Sequence, residues 1–384
     1  MRVAMDGLFL QFPAYRAGLY HYVWNLARAL ARVEPGLDLV MYFCNARRRA
    51  STERQIRSLD LGSAGIRHRT LRIPWAAGAR IARFGALSRA LVGTADVFHG
   101  TTFRLLPGAG FRRSVVTIHD LKFLTHPEAF GDRAGREFYR RAAGQALARA
   151  DAVITVSDYV RREILRHYDV GQDRVRVVWN GVDPRFAPAP APGWFHRWAA
   201  ERGIRRPYFL FVGYQEPNKN LPGLLHGLAR LRRLEGSIPD LVLVGGAGPH
   251  GAEVRALAED LGLTACVRWL GQIGMEELVA VYNQALALVL PSHYEGFGLP
   301  VVEAMACGTP VVASDRGAMA EVGGGATLAC DVRDPERLAE ALGRIASDPG
   351  LRARLRAAGL RRARLFSWER CARETLAVYR EVLA

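Results

Sequence analysis

The chain has 384 residues, 49% of them hydrophobic and 23% charged, with a net charge of +16. That balance describes a globular protein of two or three domains, each long enough for its own core. No apolar run of about twenty residues is present, which excludes a spanning helix, and the N-terminal "MRVAMDGLFL" lacks the apolar region and cleavage site of a secretory signal.

In chain order, "GLYHYVWNLARALARV" is predicted to be a helix opened by Gly18. Two arginine-rich stretches follow, "ARRRASTERQIR" and "RIPWAAGARIARFGALSRAL". The second mixes Trp75, Ile81, Phe84 and Leu87 with Arg80, Arg83 and Arg89. A helix of that kind suits an anionic membrane surface, and equally an exposed helix beside a binding cleft. "DVFHG", "RSVVTIHDL", "DAVITVS" and "RVRVVWNGVD" then read as strands, with "SDYVRREILRHY" as a helix among them. "NGVDPRFAPAPAPG" holds too much Pro and Ala for a strand or helix and reads as a break.

The alternation restarts after it. "PYFLFVG", "DLVLVGG", "CVRWLG" and "LALVLPS" read as strands. "NLPGLLHGLARLRRL", "GAEVRALAEDLG" and "MEELVAVYNQA" read as helices, and "WERCARETLAVYREVL" as the last one. Strands alternating with helices imply parallel sheets covered on both faces. The expected fold is therefore α/β, with two doubly wound Rossmann-like domains and a cleft between them. The boundaries read as 1–183 for the first domain, 184–204 for a linker, 205–365 for the second domain and 366–384 for a terminal helix. Ligands of such sheets sit at the carboxyl ends of strands, near the switch in strand order.

One such place is "HYEGFGLPVVEAMACGTPVV". Glu295 follows a predicted strand. Gly296 and Gly298 let backbone approach a ligand, and Pro300 suits a first helical turn. The free amides of that turn make an anion site that fits a diphosphate. Glu303, expected in the same turn, suits the vicinal hydroxyls of a ribose, and Glu295 those of a sugar. The plain alternative is two exposed acids. Lys219, in "LFVGYQEPNKNLPGLL", is one of only two lysines in the chain, the other being Lys122. It follows a strand and a glycine and precedes a helix, where a compact ammonium serves phosphate. His119 and Asp120 end another strand, the imidazole as a donor to a hydroxyl or phosphate and the carboxylate as a cap. Gly18 can offer amides to phosphate or simply start its helix.

Other chemistries lack their residues. There is no D-x-D, no histidine–carboxylate cluster with metal spacing, no G-x-S-x-G and no P-loop. "GGAGPHG" matches a dinucleotide fingerprint only loosely. Five scattered cysteines, Cys44, Cys266, Cys307, Cys330 and Cys371, form no C-x-x-C and read as buried thiols of a reducing cytoplasm. The arginine excess suits nucleic acid, an anionic membrane or an acidic substrate, and equally a solvated surface.

Together, "HYEGFGLPVVEAMACGTPVV", "VGYQEPNKN", "VVWNGVD", "VVTIHDL", "ADAVITVSDYVRREI" and "RWLGQIGMEELVAVYNQALALVLPS" resemble the retaining nucleotide-sugar glycosyltransferases of the two-Rossmann-domain GT-B kind, in the large group 1 family. The resemblance spans nearly the whole chain. It implies an N-terminal acceptor-binding domain, a C-terminal donor-binding domain and a last helix that crosses back to the first. It implies that Glu295 contacts the donor sugar, Glu303 the ribose and Lys219 the diphosphate. Gly213, Gly296 and the amides of Phe297, Gly298 and Leu299 would help, Gly271 to Ile273 would lie near the base, and His119 would reach the sugar. The family often carries arginine where this chain has Tyr214 and Asn218, so half of its usual phosphate clamp is replaced. The expected reaction is metal-free hexosyl transfer with retention, needing no cofactor, with mannose from GDP-mannose as the leading donor. The acceptor would be a glycan or lipid-linked glycan, at a cytoplasmic site or the inner membrane face. An epimerase or phosphorylase on the same fold is the nearest rival, and a basic nucleic-acid binder a more distant one, since it leaves both glutamates without a role.

Overall fold

A computed structural model describes residues 1–11, 18–45, 49–71, 93–103, 105, 110–127, 133–204, 207–248 and 250–384. The arginine-rich stretch from Arg72 to Leu91 lies outside them. The chain divides into two compact units: Met1–Leu124, Asp132–Gly181 and Ser367–Ala384 form one, and Thr125–Gly131 with Val182–Phe366 the other.

The first unit holds seven parallel strands: β1 (Arg2–Asp6), β2 (Asp38–Cys44), β3 (Arg67–Leu71), β4 (Ala95–Gly100), β5 (Phe111–Ile118), β6 (Ala152–Thr155) and β7 (Val175–Val177). Their order is β3-β2-β1-β4-β5-β6-β7, so direction reverses between β1 and β4. Helix Gly18–Val33 turns one face inward, burying Tyr22, Val23, Leu26, Ala27 and Leu30. That stripe packs with Cys371, Ala372, Leu376 and Tyr379 of helix Trp368–Leu383 in one apolar core. The last helix is thus part of this unit, held at its start by the Ser367 side chain, which accepts from the Arg370 amide.

The second unit holds six parallel strands: β8 (Tyr208–Val212), β9 (Asp240–Val244), β10 (Val267–Gly271), β11 (Ala287–Leu290), β12 (Val311–Ser314) and β13 (Leu328–Cys330). Their order is β10-β9-β8-β11-β12-β13, with the reversal between β8 and β11. β9, β11 and β12 are buried along their whole length, which is why they read as unbroken apolar runs.

The segment 184–204 differs from the linker expected there. It belongs to the second unit and contains helix Phe195–Glu201. Its aromatic residues explain the difference. Phe195 is fully buried, Phe186 meets the Tyr282 ring edge-on, and the Trp198 indole donates to Glu277 Oε1 at 2.6 Å. Asn283 also ties this segment down, accepting from the Ala189 amide and donating to the Ala187 carbonyl. Among the described residues, no helix is long and apolar enough to cross a membrane.

Candidate active site

The β8/β11 reversal gathers most of the residues singled out from the sequence. The chain leaves β8 through Gly213 and a short turn, Pro217–Lys219. It leaves β11 through the loop 291–298. Buried Asn218 fastens these loops together: its side chain donates to the Tyr294 carbonyl at 3.1 Å, and its own carbonyl accepts from the His293 amide at 2.8 Å. An asparagine therefore does structural work at a position where the resemblance expects arginine.

This tie sets Lys219 against Glu295. Lys219 Nζ donates to Glu295 Oε1 at 2.5 Å, and Ser292 Oγ donates to the same oxygen at 2.8 Å. The two side chains are only 16% and 12% exposed, so the pair is largely shielded from water. Each side chain is thus the other's partner. Ser292 was not singled out from the sequence, because a polar residue in a loop carries no periodic signal, and Asn218 was noted only as a departure from the family's arginine.

Beside the pair, helix Leu299–Cys307 starts at Gly298, whose φ is +96°. A β-carbon there would come within 2.2 Å of Met319 Cε, so the turn needs glycine twice over. Among the described residues, none accepts a hydrogen bond from the amides of Phe297, Gly298 or Leu299. The helix start and Lys219 thus make one electropositive corner, suited to an anion. The Phe297 side chain turns away and packs on Phe366.

Glu303 is not in the first helical turn. The helix begins at Leu299, which makes Glu303 its fifth residue. Its Oε2 accepts from the Tyr282 hydroxyl at 2.8 Å. Burial pushes its carboxyl up to about 7; the Tyr282 hydrogen bond pulls the other way, and Asp183 adds to the rise. Tyr282 sits inside the helical pattern "AVYNQA" and looks there like an ordinary core residue.

The ends of β8, β9 and β10 are stitched by glycines. The Gly213 amide donates to the Val244 carbonyl, and the Gly245 amide to the Gly271 carbonyl. A β-carbon on Gly245 would lie 2.1 Å from the Gly213 carbonyl oxygen. The glycines of "GGAGPHG" therefore serve close packing of this unit. Tyr214 lies across Gly246, and its hydroxyl accepts from Gln272 Nε2 at 3.0 Å. Gln272 stands between Gly271 and Ile273, so this tyrosine is tied to the segment expected near the base.

His119 and Gly18 belong to the first unit. His119 follows β5, and its Nε2 donates to the Thr101 carbonyl at 2.9 Å. Burial lowers its pKa, so the ring is neutral and the proton sits on Nε2. The expected donor is thus already used, and Nδ1 remains as an acceptor. The Tyr22 ring meets His119 edge-on at 4.5 Å. Tyr22 also joins Thr117, which bonds His99, which bonds Tyr379 of the last helix at 2.6 Å. Burial drives His99 down to about 3, so it too is neutral. Gly18 is the first residue of its helix. Asp120 caps the short helix Lys122–Thr125 through the Lys122 amide. Among the described residues, no group of three or more histidine, cysteine, aspartate or glutamate side chains is gathered as a metal ion would need.

Two doubly wound units, one with a cation and open amides at its strand reversal, define a GT-B glycosyltransferase architecture. Comparison with known proteins agrees. Residues 194–362 match the model "Glycosyl transferases group 1", and residues 17–186 match "Glycosyltransferase Family 4". An O-antigen chain mannosyltransferase B of Escherichia coli is 31% identical over 284 residues, covering 74% of each chain. A D-inositol 3-phosphate glycosyltransferase of Salinispora tropica is 34% identical over 288 residues, 70% of this chain and 59% of that one. An MMP alpha-(1->4)-mannosyltransferase of Mycolicibacterium hassiacum is 36% identical over 237 residues, 60% of this chain and 54% of that one. The chain thus spans less than two thirds of the latter two relatives. Among solved structures, sucrose-phosphate synthase from Thermosynechococcus elongatus aligns with a TM-score of 0.75 at 23% identity, covering 99% and 98% of the two chains. WaaG, a glycosyltransferase involved in lipopolysaccharide biosynthesis, aligns at 0.70 and 18% identity, covering 97% and 98%. The chain belongs to the group 1 glycosyltransferases.

Proposed function

We propose that this glycosyltransferase moves a hexose from a nucleoside-diphosphate sugar to a hydroxyl of a glycan or lipid-linked glycan, with retention and without a metal ion. Mannose from GDP-mannose is the leading donor, in keeping with the names of two relatives, both mannosyltransferases. The observation that carries the reading is the Lys219–Glu295 pair beside the open amides of Phe297, Gly298 and Leu299.

The barrier is departure of a dianionic phosphate from an oxocarbenium-like carbon. Lys219 and the helix start would stabilise the charge growing on that phosphate, each contact contributing about 3–4 kcal/mol where water is excluded. The sugar's anomeric C–O bond to phosphate breaks and a C–O bond to the acceptor forms on the same face. The acceptor's proton passes to the departing phosphate oxygen, so no protein base is required. A donor diphosphate would draw Lys219 partly away from Glu295 and free the carboxylate for sugar hydroxyls. Glu295 thus positions the sugar and need not attack it. Glu303 would hold the ribose hydroxyls and Gly271 to Ile273 the base. His119, neutral, would accept from a hydroxyl.

The test is a thermal-shift screen of UDP-, GDP-, ADP- and dTDP-sugars, followed by product analysis of the best one with EDTA present. One sugar nucleotide should raise the melting temperature, and EDTA should leave transfer intact with the anomeric configuration kept. An inverted product, a phosphorylated or epimerised sugar, or a strict metal requirement would overturn the reading.

A further inference from the structure

The second unit carries a cleft of about 590 Å³ at the end of its sheet opposite Lys219 and Glu295. Pro207, Leu286 and Pro310 line it, and they precede β8, β11 and β12. Lys219 and Glu295 follow the other ends of β8 and β11. The four residues of β11 alone hold the two places roughly 13 Å apart. The cleft is therefore a separate place on the unit, and its size is that of a small-molecule site.

Its charge is one-sided. Arg352 and Arg356, one turn apart on helix Pro349–Ala363, both line the cleft, and among the described residues no aspartate or glutamate does. Arg352 uses only Nη1 on the protein, donating to the Ile345 and Ala346 carbonyls at 2.8 and 2.7 Å. Arg356 Nη1 donates to the Gly308 carbonyl at 2.9 Å. Nε and Nη2 of both arginines, and the Gln284 carboxamide beside them, bond to nothing among the described residues. Gly308 makes room for this arrangement: its φ is +74°, and a β-carbon there would lie 2.7 Å from Arg356 Nη1. Helices Met275–Gln284 and Leu299–Cys307 end at the cleft, and a helix end brings roughly half a negative charge. The two guanidiniums outweigh both ends by about one charge.

We propose that this cleft binds a small phosphate monoester, its phosphate on Arg352 and Arg356 and its body against Pro207, Leu286 and Pro310. A guanidinium fork matches two phosphate oxygens at once. A monoester carries close to two negative charges at pH 7, one for each arginine. A carboxylate brings one charge and two oxygens, and would leave one fork unmet. Gln284 can both donate and accept, which suits a hydroxyl on the body of the ester. The inference is independent of the transferase reading, which uses none of these residues.

The test is isothermal titration of the full chain at about 0.15 M ionic strength, which screens loose surface charge. The probes are mannose 6-phosphate, phenyl phosphate, inorganic phosphate and mannose. Wild type should bind at least one ester more tightly than inorganic phosphate, and mannose should give no binding heat. Arg352→Gln and Arg356→Gln should each weaken the ester about tenfold or more. Both arginines also hold carbonyls, so Ala353→Trp supplies a second probe: it fills the cleft, leaves those bonds in place and should weaken the ester too, with cooperative melting preserved. Arg354→Gln, on the same helix but outside the cleft, and Lys219→Ala should leave the affinity unchanged. No ester binding in wild type, or wild-type affinity in Ala353→Trp or in both arginine variants, would overturn the inference. So would a loss in Arg354→Gln or Lys219→Ala equal to that in Arg352→Gln, which would mean loose surface charge or the other end of the sheet. Should an ester bind here while no nucleotide sugar binds the chain, the cleft stands and the transferase mechanism falls.

Discussion

Lowering the pH should loosen the nucleotide sugar through one carboxyl group. Glu303 is held at about 7 by its burial. In the proposed role its carboxylate would accept from both hydroxyls of a ribose; protonated, it would lose an acceptor and present a hydrogen of its own. If only the ionised form binds, affinity for a sugar nucleotide should be about tenfold weaker at pH 6 than at pH 8. The diphosphate of a sugar nucleotide does not titrate in that range, so the slope belongs to the protein. Isothermal titration of the donor at pH 8, 7 and 6 measures it. Glu303→Gln, neutral throughout, should bind more weakly at pH 8 and show no slope. Stability gives an independent reading with the opposite sign. The folded carboxyl sits above its ordinary 4.5, so the folded state holds the extra proton between 4.5 and about 7. Stability contributed by that proton is present below this window and is lost as pH rises through it, by about 3 kcal/mol in all. Glu303→Gln should therefore gain on wild type between pH 5 and pH 8 in urea denaturation. A wild-type affinity that is flat from pH 8 to pH 6, or a Glu303→Gln slope equal to wild type, would refute the assignment.

Three further substitutions test the neighbouring parts. Lys219→Ala removes the ammonium paired with Glu295 and should lower kcat by about 10²–10³-fold, with weaker nucleoside-diphosphate binding; a loss under tenfold in steady-state assays would take Lys219 out of the leaving-group role. Tyr282→Phe deletes the hydroxyl that holds Glu303 down, so the midpoint of the pH–affinity curve should move up, and an unmoved midpoint would count against the hydrogen bond at 2.8 Å. Gly298→Ala must adopt a φ of +96°. It should cost about 1–2 kcal/mol in urea unfolding, and an unchanged midpoint would mean the turn rearranges freely.

The fold was legible where packing repeats itself along the chain. β9, β11 and β12, buried on both faces, leave runs such as "LALVLPS" that admit few other readings, and Gly18–Val33 shows a full helical stripe. The segment 184–204 was not legible in this way. Its prolines and alanines are visible, but the burial of Phe195 and Trp198 depends on a helix eighty residues away in the chain. The site divides along the same line. Glu295, Glu303 and Lys219 stand out by residue type at strand ends. Their partners Ser292 and Tyr282 do not, because hydrogen bonds between separate elements leave no period to read. The state of His119 was hidden for the same reason: only the Thr101 carbonyl, eighteen residues away, reveals which nitrogen holds the proton.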